Sequence, residues 1–335
     1  MTSPQQLEIL DLRHFTGRQL RPLLEQEAEQ WFRVLRWDYR ASTELLLQYL
    51  DSRILPGFVA LDRGRIVGMA FCVYEGQKAV IGDIYASIYE ADSLAIVQTL
   101  TRHMLETIEA SPDITRAEAQ LLLFDSGVLP PIFAAEISRG VAFRTFPRLF
   151  LEHELRPGTM SAQPNPILPQ LELCRWSPSF YQPSAELIQL AYAQHLDSEI
   201  NDQYRTLAGS QRFLHNVVRF PGCGVFDPES SYALRERRSN RLIAVILCSR
   251  VSPDTAHITQ LCIAPAYRGK HLGETLLHLV QRQLPSRSYR YITLTVSENN
   301  VSAMRLYTRS GFHTKRRFDA LVLDKPARNL LPWPV

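Results

Sequence analysis

Apolar residues recur along this chain at two spacings. Short runs carry them at every second position and longer runs at every third or fourth, which reads as strands interleaved with helices. Leu7–Asp11 is a short strand, Leu20, Leu24, Trp31 and Leu35 mark one face of a long helix, and Thr43–Leu50 forms a second helix. Phe58–Leu61 and Ile66–Val73 read as a hairpin whose turn is supplied by Gly64. A strand at Ala79–Ser87, a helix over 92–110, a strand at Gln120–Phe124, a short helix at Ile132–Ser138 and a last strand region over Ala142–Leu155 follow. Residues 157–170 carry four prolines and no apolar period, the pattern of a semi-extended linker.

After the linker the same order begins again. Leu171–Arg175 is a strand, Ala185–His195 a helix with its cap near Ser184, and Ser210–Arg219 a second helix. Strands are expected near Gly224–Phe226 and at Ser231–Glu236, Leu242–Arg250, Ile258–Ile263 and Tyr291–Val296, with helices from His271 and over Val301–Ser310. A final strand region begins at Phe312. The halves share local text as well: Phe143-Arg-Thr-Phe-Pro-Arg148 stands where the second half has Phe312-His-Thr-Lys-Arg-Arg317. The pattern predicts an α/β (α+β) chain built as a tandem repeat, with one domain over 1–156 and another over 171–326.

Composition narrows the function classes. Hydrophobic content of 45% and charged content of 21% belong to a globular chain. A net charge of +3 gives no reason to expect nucleic acid or an anionic membrane as partner. No apolar run approaches a membrane span, and Met1–Gln6 lacks a basic-then-apolar leader, so a cytoplasmic chain is expected. Cys72, Cys174, Cys223, Cys248 and Cys262 are scattered with no Cys-x-x-Cys pair, which suggests reduced thiols and no metal site.

The chemistry concentrates in residues 256–284. A strand through Leu261-Cys262-Ile263 ends before Pro265, and a helix with Leu272, Leu276, Leu279 and Val280 on one face begins beyond His271. Between them lies Tyr267-Arg-Gly-Lys-His-Leu-Gly273. Free N–H groups of the first helical turn and the positive end of the helix dipole face such a turn, while Arg268 and Lys270 add charge and Gly269 and Gly273 allow close approach. This is a pyrophosphate cradle. The turn alone leaves its ligand open, since it matches neither Gly-x-x-x-x-Gly-Lys-Ser/Thr nor Gly-x-Gly-x-x-Gly.

Taken with the strand, the turn resembles motif A of the GNAT superfamily, the acetyl-CoA-dependent N-acetyltransferases. Arg268-x-x-His271-x-Gly273 stands for the family's (Gln/Arg)-x-x-Gly-x-(Gly/Ala), with His271 replacing its first glycine. Asn300-x-x-Ala303-x-x-Leu306-Tyr307-x-x-x-Gly311-Phe312 then matches the second family signature at every named position. The resemblance covers roughly residues 170–325. It implies two tandem GNAT folds, each a mixed, largely antiparallel twisted sheet flanked by helices.

By the same resemblance, Leu261, Cys262 and Ile263 would bind the pantetheine arm of acetyl-CoA. Arg268, Gly269, Lys270, His271, Leu272, Gly273 and Glu274 would hold its pyrophosphate, and Asn300 the pantetheine. Tyr307 would be the general acid that protonates the leaving thiolate. The first copy has Ser87-Ile-Tyr-Glu90-Ala-Asp92-Ser93 at the turn, with two carboxylates in place of basic residues and glycine, so it is expected to be structural. The acceptor pocket would lie at the segment between the second copy's first two helices, where Asp197, Glu199, Asn201, Asp202 and Tyr204 suggest a small polar amine. Leu294-Thr295-Val296 lacks the glutamate that many relatives use as a base, and His257 is weighed for that role without being assigned it. Use of a longer acyl-CoA, and a non-catalytic acyl-CoA-binding or interaction role, stay open beside N-acetyl transfer.

Overall fold

The computed structural model describes residues 7–156 and 166–326; of the expected linker, 157–165 lie outside the described residues. The first half runs β1 (Leu7–Asp11), α1 (Gly17–Leu35), α2 (Arg40–Asp51), β2 (Gly57–Asp62), β3 (Arg65–Glu75), β4 (Lys78–Ala86), α3 (Ser93–Ala110), β5 (Arg116–Gln120), α4 (Leu129–Glu136) and β6 (Ala142–Glu154). The second runs β7 (Leu171–Arg175), α5 (Tyr181–Tyr192), α6 (Asp197–Ile200), α7 (Leu207–Arg219), β8 (Val225–Phe226), β9 (Tyr232–Glu236), β10 (Leu242–Ser252), β11 (Thr255–Ile263), α8 (Leu272–Gln283), β12 (Tyr291–Ser297), α9 (Val301–Arg309) and β13 (His313–Asp324).

Contacts divide the chain into two compact units that do not follow the sequence halves. One comprises 1–29, 43–146 and 318–335, the other 30–42 and 147–317. In the first unit β1, β2, β3 and β4 pair antiparallel in that order. Strands β4 and β5 are parallel, and β5 takes residues 320–324 of β13 as its antiparallel neighbour. The second unit repeats the scheme: β7, β9, β10 and β11 are antiparallel, β11 and β12 parallel, and β12 pairs antiparallel with residues 148–154 of β6. Each unit is therefore completed by the terminal strand of the other sequence half.

Apolar periodicity accounts for the cores. In the first unit Ile96, Leu100, Met104 and Ile108 of α3 cover one sheet face, and Leu20, Leu24, Leu47 and Leu50 of α1 and α2 belong to a second cluster. In the second unit Ile188, Leu214, Leu276 and Val280 pack with Ile246, Ile258 and Leu294.

Two expected elements move. The strand placed at Gln120–Phe124 is β5 at Arg116–Gln120, and 121–124 form a turn. Its inward face carries ions that neutralise one another, which hides it from an apolar pattern. Arg116 bonds Glu118 at 2.7 Å and Asp324 at 2.8 Å, while Lys78 reaches Glu118 at 3.1 Å. The helix placed at Ala185–His195 is α5, which begins at Tyr181 and ends at Tyr192. Ser184 is not its cap; that buried hydroxyl accepts a bond from the Trp176 indole N–H at 3.2 Å.

Candidate functional site

The site begins with a defect in pairing. Strands β11 and β12 pair from Thr255↔Tyr291 to Ile258↔Leu294 and then separate, although β11 runs on to Ile263 and β12 to Ser297. A bulge supplies the cause. Against β10, Leu247 faces Gln260 while Cys248 faces Ile258, so Thr259 is an extra residue that bends β11 away. Its hydroxyl donates to the Leu247 carbonyl at 3.2 Å and holds the bend.

A cavity of about 510 Å³ opens at the separation. Leu261, Cys262 and Ile263 line it along the free edge of β11, and Arg268, Gly269, His271, Leu272, Gly273 and Glu274 line it from the turn into α8. Asn300 and Tyr307 face it from the other side. Of the residues expected to hold a cofactor, Lys270 alone is not in the wall; its ammonium lies 4.7 Å from the Tyr267 ring centroid.

The turn is built to leave its donors exposed. Gly269 has φ +75 with nothing within 4 Å of where a Cβ would stand, so its left-handed backbone, not lack of space, calls for glycine. His271 also adopts the left-handed region, at φ 58, where its replacement of a glycine carries a conformational cost. No side chain caps α8, among the described residues. The His271 Nδ1 lies 2.9 Å from Glu274, whose carboxyl is held below its ordinary range by that contact. Arg268 does not point at the cradle. Its guanidinium donates to the Ala191 carbonyl at 2.6 Å, one of the unpaired acceptors at the end of α5.

At the far end of the cavity Tyr307 is 8% exposed, and burial first, then the Asp197 charge, push its hydroxyl well above its ordinary pKa of 10. It therefore stays protonated at neutral pH and can donate. Cys262 is pushed up to about 12 by burial, so it is a thiol and not a nucleophilic thiolate. Asn300 accepts from the Ala303 N–H at 3.1 Å as the cap of α9, and its Nδ2 lies 3.4 Å from the His195 Nε2.

The expected acceptor segment divides. Asp197 lines the cavity, whereas Glu199, Asn201, Asp202 and Tyr204 do not. Glu199 pairs with Arg205 at 3.4 Å, Asn201 caps the turn at Gln203, and Tyr204 stacks on Tyr192 with ring centroids 4.4 Å apart. Nor is Asp197 a free surface carboxylate. It accepts a bond from the Ser297 hydroxyl, and the Arg148 guanidinium stands 3.6 Å away, with both side chains nearly buried. His257 is not in the cavity wall. It is enclosed by Trp37 and Phe150, bonded to Thr293 at 2.9 Å, and lowered by burial to about 3, so it is neutral and structural.

Tyr192, His195 and Gln260 also stand in the wall, although the sequence pattern assigns none of them a role: Gln260 is no base, because an amide cannot titrate, and His195 only opens the acceptor segment. The Asp197 backbone N–H donates to His195 Nδ1 at 3.1 Å. Their signal was weak because each sits at the end of a helix or within an apolar strand. Among the described residues no cluster of metal-ligating side chains occurs, and no helix is long and apolar enough to cross a membrane.

The geometry has relatives. Residues 192–312 match the model of the acetyltransferase (GNAT) family. A GCN5-related N-acetyltransferase from Sphaerobacter thermophilus shares the fold with TM-score 0.66 and 15% identity, over 98% of this chain and 99% of its own. A tandem GNAT protein from the clavulanic acid biosynthesis pathway follows with TM-score 0.58 and 16% identity, over 95% of this chain and 98% of its own. A glucosamine N-acetyltransferase region of a fungal multi-domain β-N-acetylglucosaminidase has TM-score 0.62 and 14% identity, with 96% of this chain and 38% of that one covered. No curated protein matches the sequence. The split between β11 and β12, the uncapped helix beyond it and the family match at 192–312 together make this a tandem GNAT-fold chain whose second half carries a domain of the acetyltransferase (GNAT) family.

Proposed function

We propose that the second unit is an N-acetyltransferase that moves acetyl from acetyl-CoA to a small polar primary amine by direct transfer. One observation carries the reading: a single cavity runs from the uncapped N-terminus of α8, along the free edge of β11, to a buried and protonated tyrosine. The N–H groups of the turn from Gly269 to Glu274 offer donors and positive potential to a pyrophosphate, the Arg268 N–H being taken by the Pro265 carbonyl at 3.2 Å. Unpaired backbone groups of Leu261–Ile263 offer strand-like hydrogen bonds to the amide-bearing pantetheine arm. Bound acetyl-CoA supplies an activated acyl group and a thiolate leaving group. Tyr307 stands protonated at neutral pH as the donor to that thiolate; burial weakens it as an acid, so it gives a hydrogen bond first and its proton only as charge develops on the sulfur.

The first unit is assigned a structural role, since its turn carries Glu90 and Asp92 where the second has Arg268 and Lys270. Calorimetry with acetyl-CoA, followed by CoA release across a panel of amines that includes amino sugars, tests the proposal. One site per chain with amine-dependent CoA release is expected. Binding without release from any amine would replace the enzyme with an acyl-CoA-binding protein, and faster release from longer acyl donors would change the donor.

A further inference from the structure

Gln260 follows the bulge residue Thr259 on β11, is 4% exposed, and lines the cavity. Its Oε1 accepts the Tyr192 hydroxyl proton at 3.1 Å. Tyr192 is half-buried, and desolvation of its hydroxyl raises it well above 10, so the phenol remains a donor at neutral pH. The other end of the amide has no such partner. Gln260 Nε2 is buried and makes no hydrogen bond within the described residues. A primary amide N–H withdrawn from water and left unpaired is disfavoured, and because Gln260 lines the cavity, a turn of its amide toward that space lets a ligand satisfy it.

The identity of that ligand atom follows from its neighbours. Gln260 is tied to Tyr192, whose ring meets His195 with centroids 5.2 Å apart and Tyr204 at 4.4 Å. Gln260, Tyr192, His195 and Asp197 line the same cavity as Tyr307, and Asp197 is close enough for its charge to act on both the Tyr192 and the Tyr307 hydroxyls, which places this group at the tyrosine end where the reacting atoms would meet. An N–H donor there meets the acceptor molecule, and it selects an oxygen.

Resting on the acetyltransferase reading above, we infer that Gln260 is a specificity-determining residue. Its Nε2–H donates to a hydroxyl, ether or carbonyl oxygen close to the reacting amine, so the substrate class is an oxygen-bearing primary amine such as an amino alcohol, amino sugar or amino amide. An apolar amine of the same size leaves the amide unpaired and is disfavoured by about 10- to 100-fold in kcat/KM.

The test uses matched amines, 2-aminoethanol against propylamine and glycinamide against isobutylamine, with the full-length chain and acetyl-CoA. Wild-type protein should favour the oxygen-bearing member of each pair. Gln260→Glu keeps the acceptor for Tyr192 and removes the amide donor, while Gln260→Met removes both; circular dichroism confirms that each is folded. In either folded variant the preference should shrink to within about threefold, a change in ratio that a purely structural residue would not produce. A wild-type ratio near one, or a ratio unchanged in both variants, overturns the inference and leaves the acetyltransferase reading standing. CoA release with none of the amines overturns both.

Discussion

Asp197→Asn separates two roles that a single carboxylate near an active site can play. Asp197 faces Arg148 across 3.6 Å with side chains 14% and 10% exposed, so water screens the pair weakly. Two unit charges at such a distance interact by about 4 kcal/mol at an effective dielectric near 20. Removing one partner strands the other charge, which costs about 3–5 kcal/mol in buried pairs. Asparagine keeps an acceptor for the Ser297 hydroxyl, which argues for the lower end of that range. A loss of about 3 kcal/mol in a unit of this size corresponds to a fall in Tm of about 6–12 °C. Thermal unfolding followed by circular dichroism at neutral pH measures it. Adding Arg148→Met removes the stranded cation, and the double variant should recover most of the loss. A Tm within about 2 °C of wild type for Asp197→Asn would refute the assignment of Asp197 as a buried ion-pair partner. A raised acceptor KM in a protein that stable would instead make it a substrate contact.

If Tyr307 is the proposed donor to the leaving group, Tyr307→Phe should lower kcat by about 10²–10⁴-fold while leaving the acetyl-CoA affinity from calorimetry nearly unchanged. His271→Gly should raise stability by on the order of 1 kcal/mol in denaturant titration. Glycine adopts φ 58 without the side-chain penalty, and the imidazole that pairs with Glu274 is itself largely exposed to water, so its removal costs little. His257, lowered to about 3, refuses in the folded state a proton that the unfolded chain accepts below about 6.5. Stability should therefore fall as pH drops from about 6.5 toward 3, by about 2 kcal/mol at pH 5 from this residue, and His257→Leu should flatten that part of the curve.

Much of the second unit's wall was legible because it is written in local text. The strand Leu261–Ile263, the turn through Gly273 and the Asn300–Phe312 signature each lie within a few residues, and their order alone places them on one cavity. What the sequence concealed depends on distant partners. Arg148 lies on β6, so the ion pair that withdraws Asp197 from solvent has no signature near Asp197 itself. The completion of each unit by the other half's terminal strand has the same origin, since β6 and β13 carry similar text and a backbone ladder does not distinguish between equivalent edges. Strand β5 went astray for a complementary reason. Its charged residues are buried as a mutually neutralised set, which an apolar period cannot reveal.

The two halves also separate what the fold provides from what the chemistry requires. The first unit has the same bulge: Phe71 faces Asp83 and Cys72 faces Ile81, leaving Gly82 extra, and β4 and β5 part after Ile81↔Ala119. The opened sheet edge is thus common to both copies. They differ at the helix that follows. In α3 the Asp92 carboxylate accepts from the Ala95 N–H at 3.1 Å and closes the helix end, and Glu90 is paired with Arg65 at 2.8 Å beside it. In α8 no side chain takes that place, among the described residues, and the preceding turn holds Gly269 and His271 in the left-handed conformation. An anion approaching α3 would have to displace one carboxylate in the presence of another, whereas at α8 it meets free donors. In the first copy the helix end is satisfied internally by Asp92, while the packing that keeps its sheet in place is present all the same.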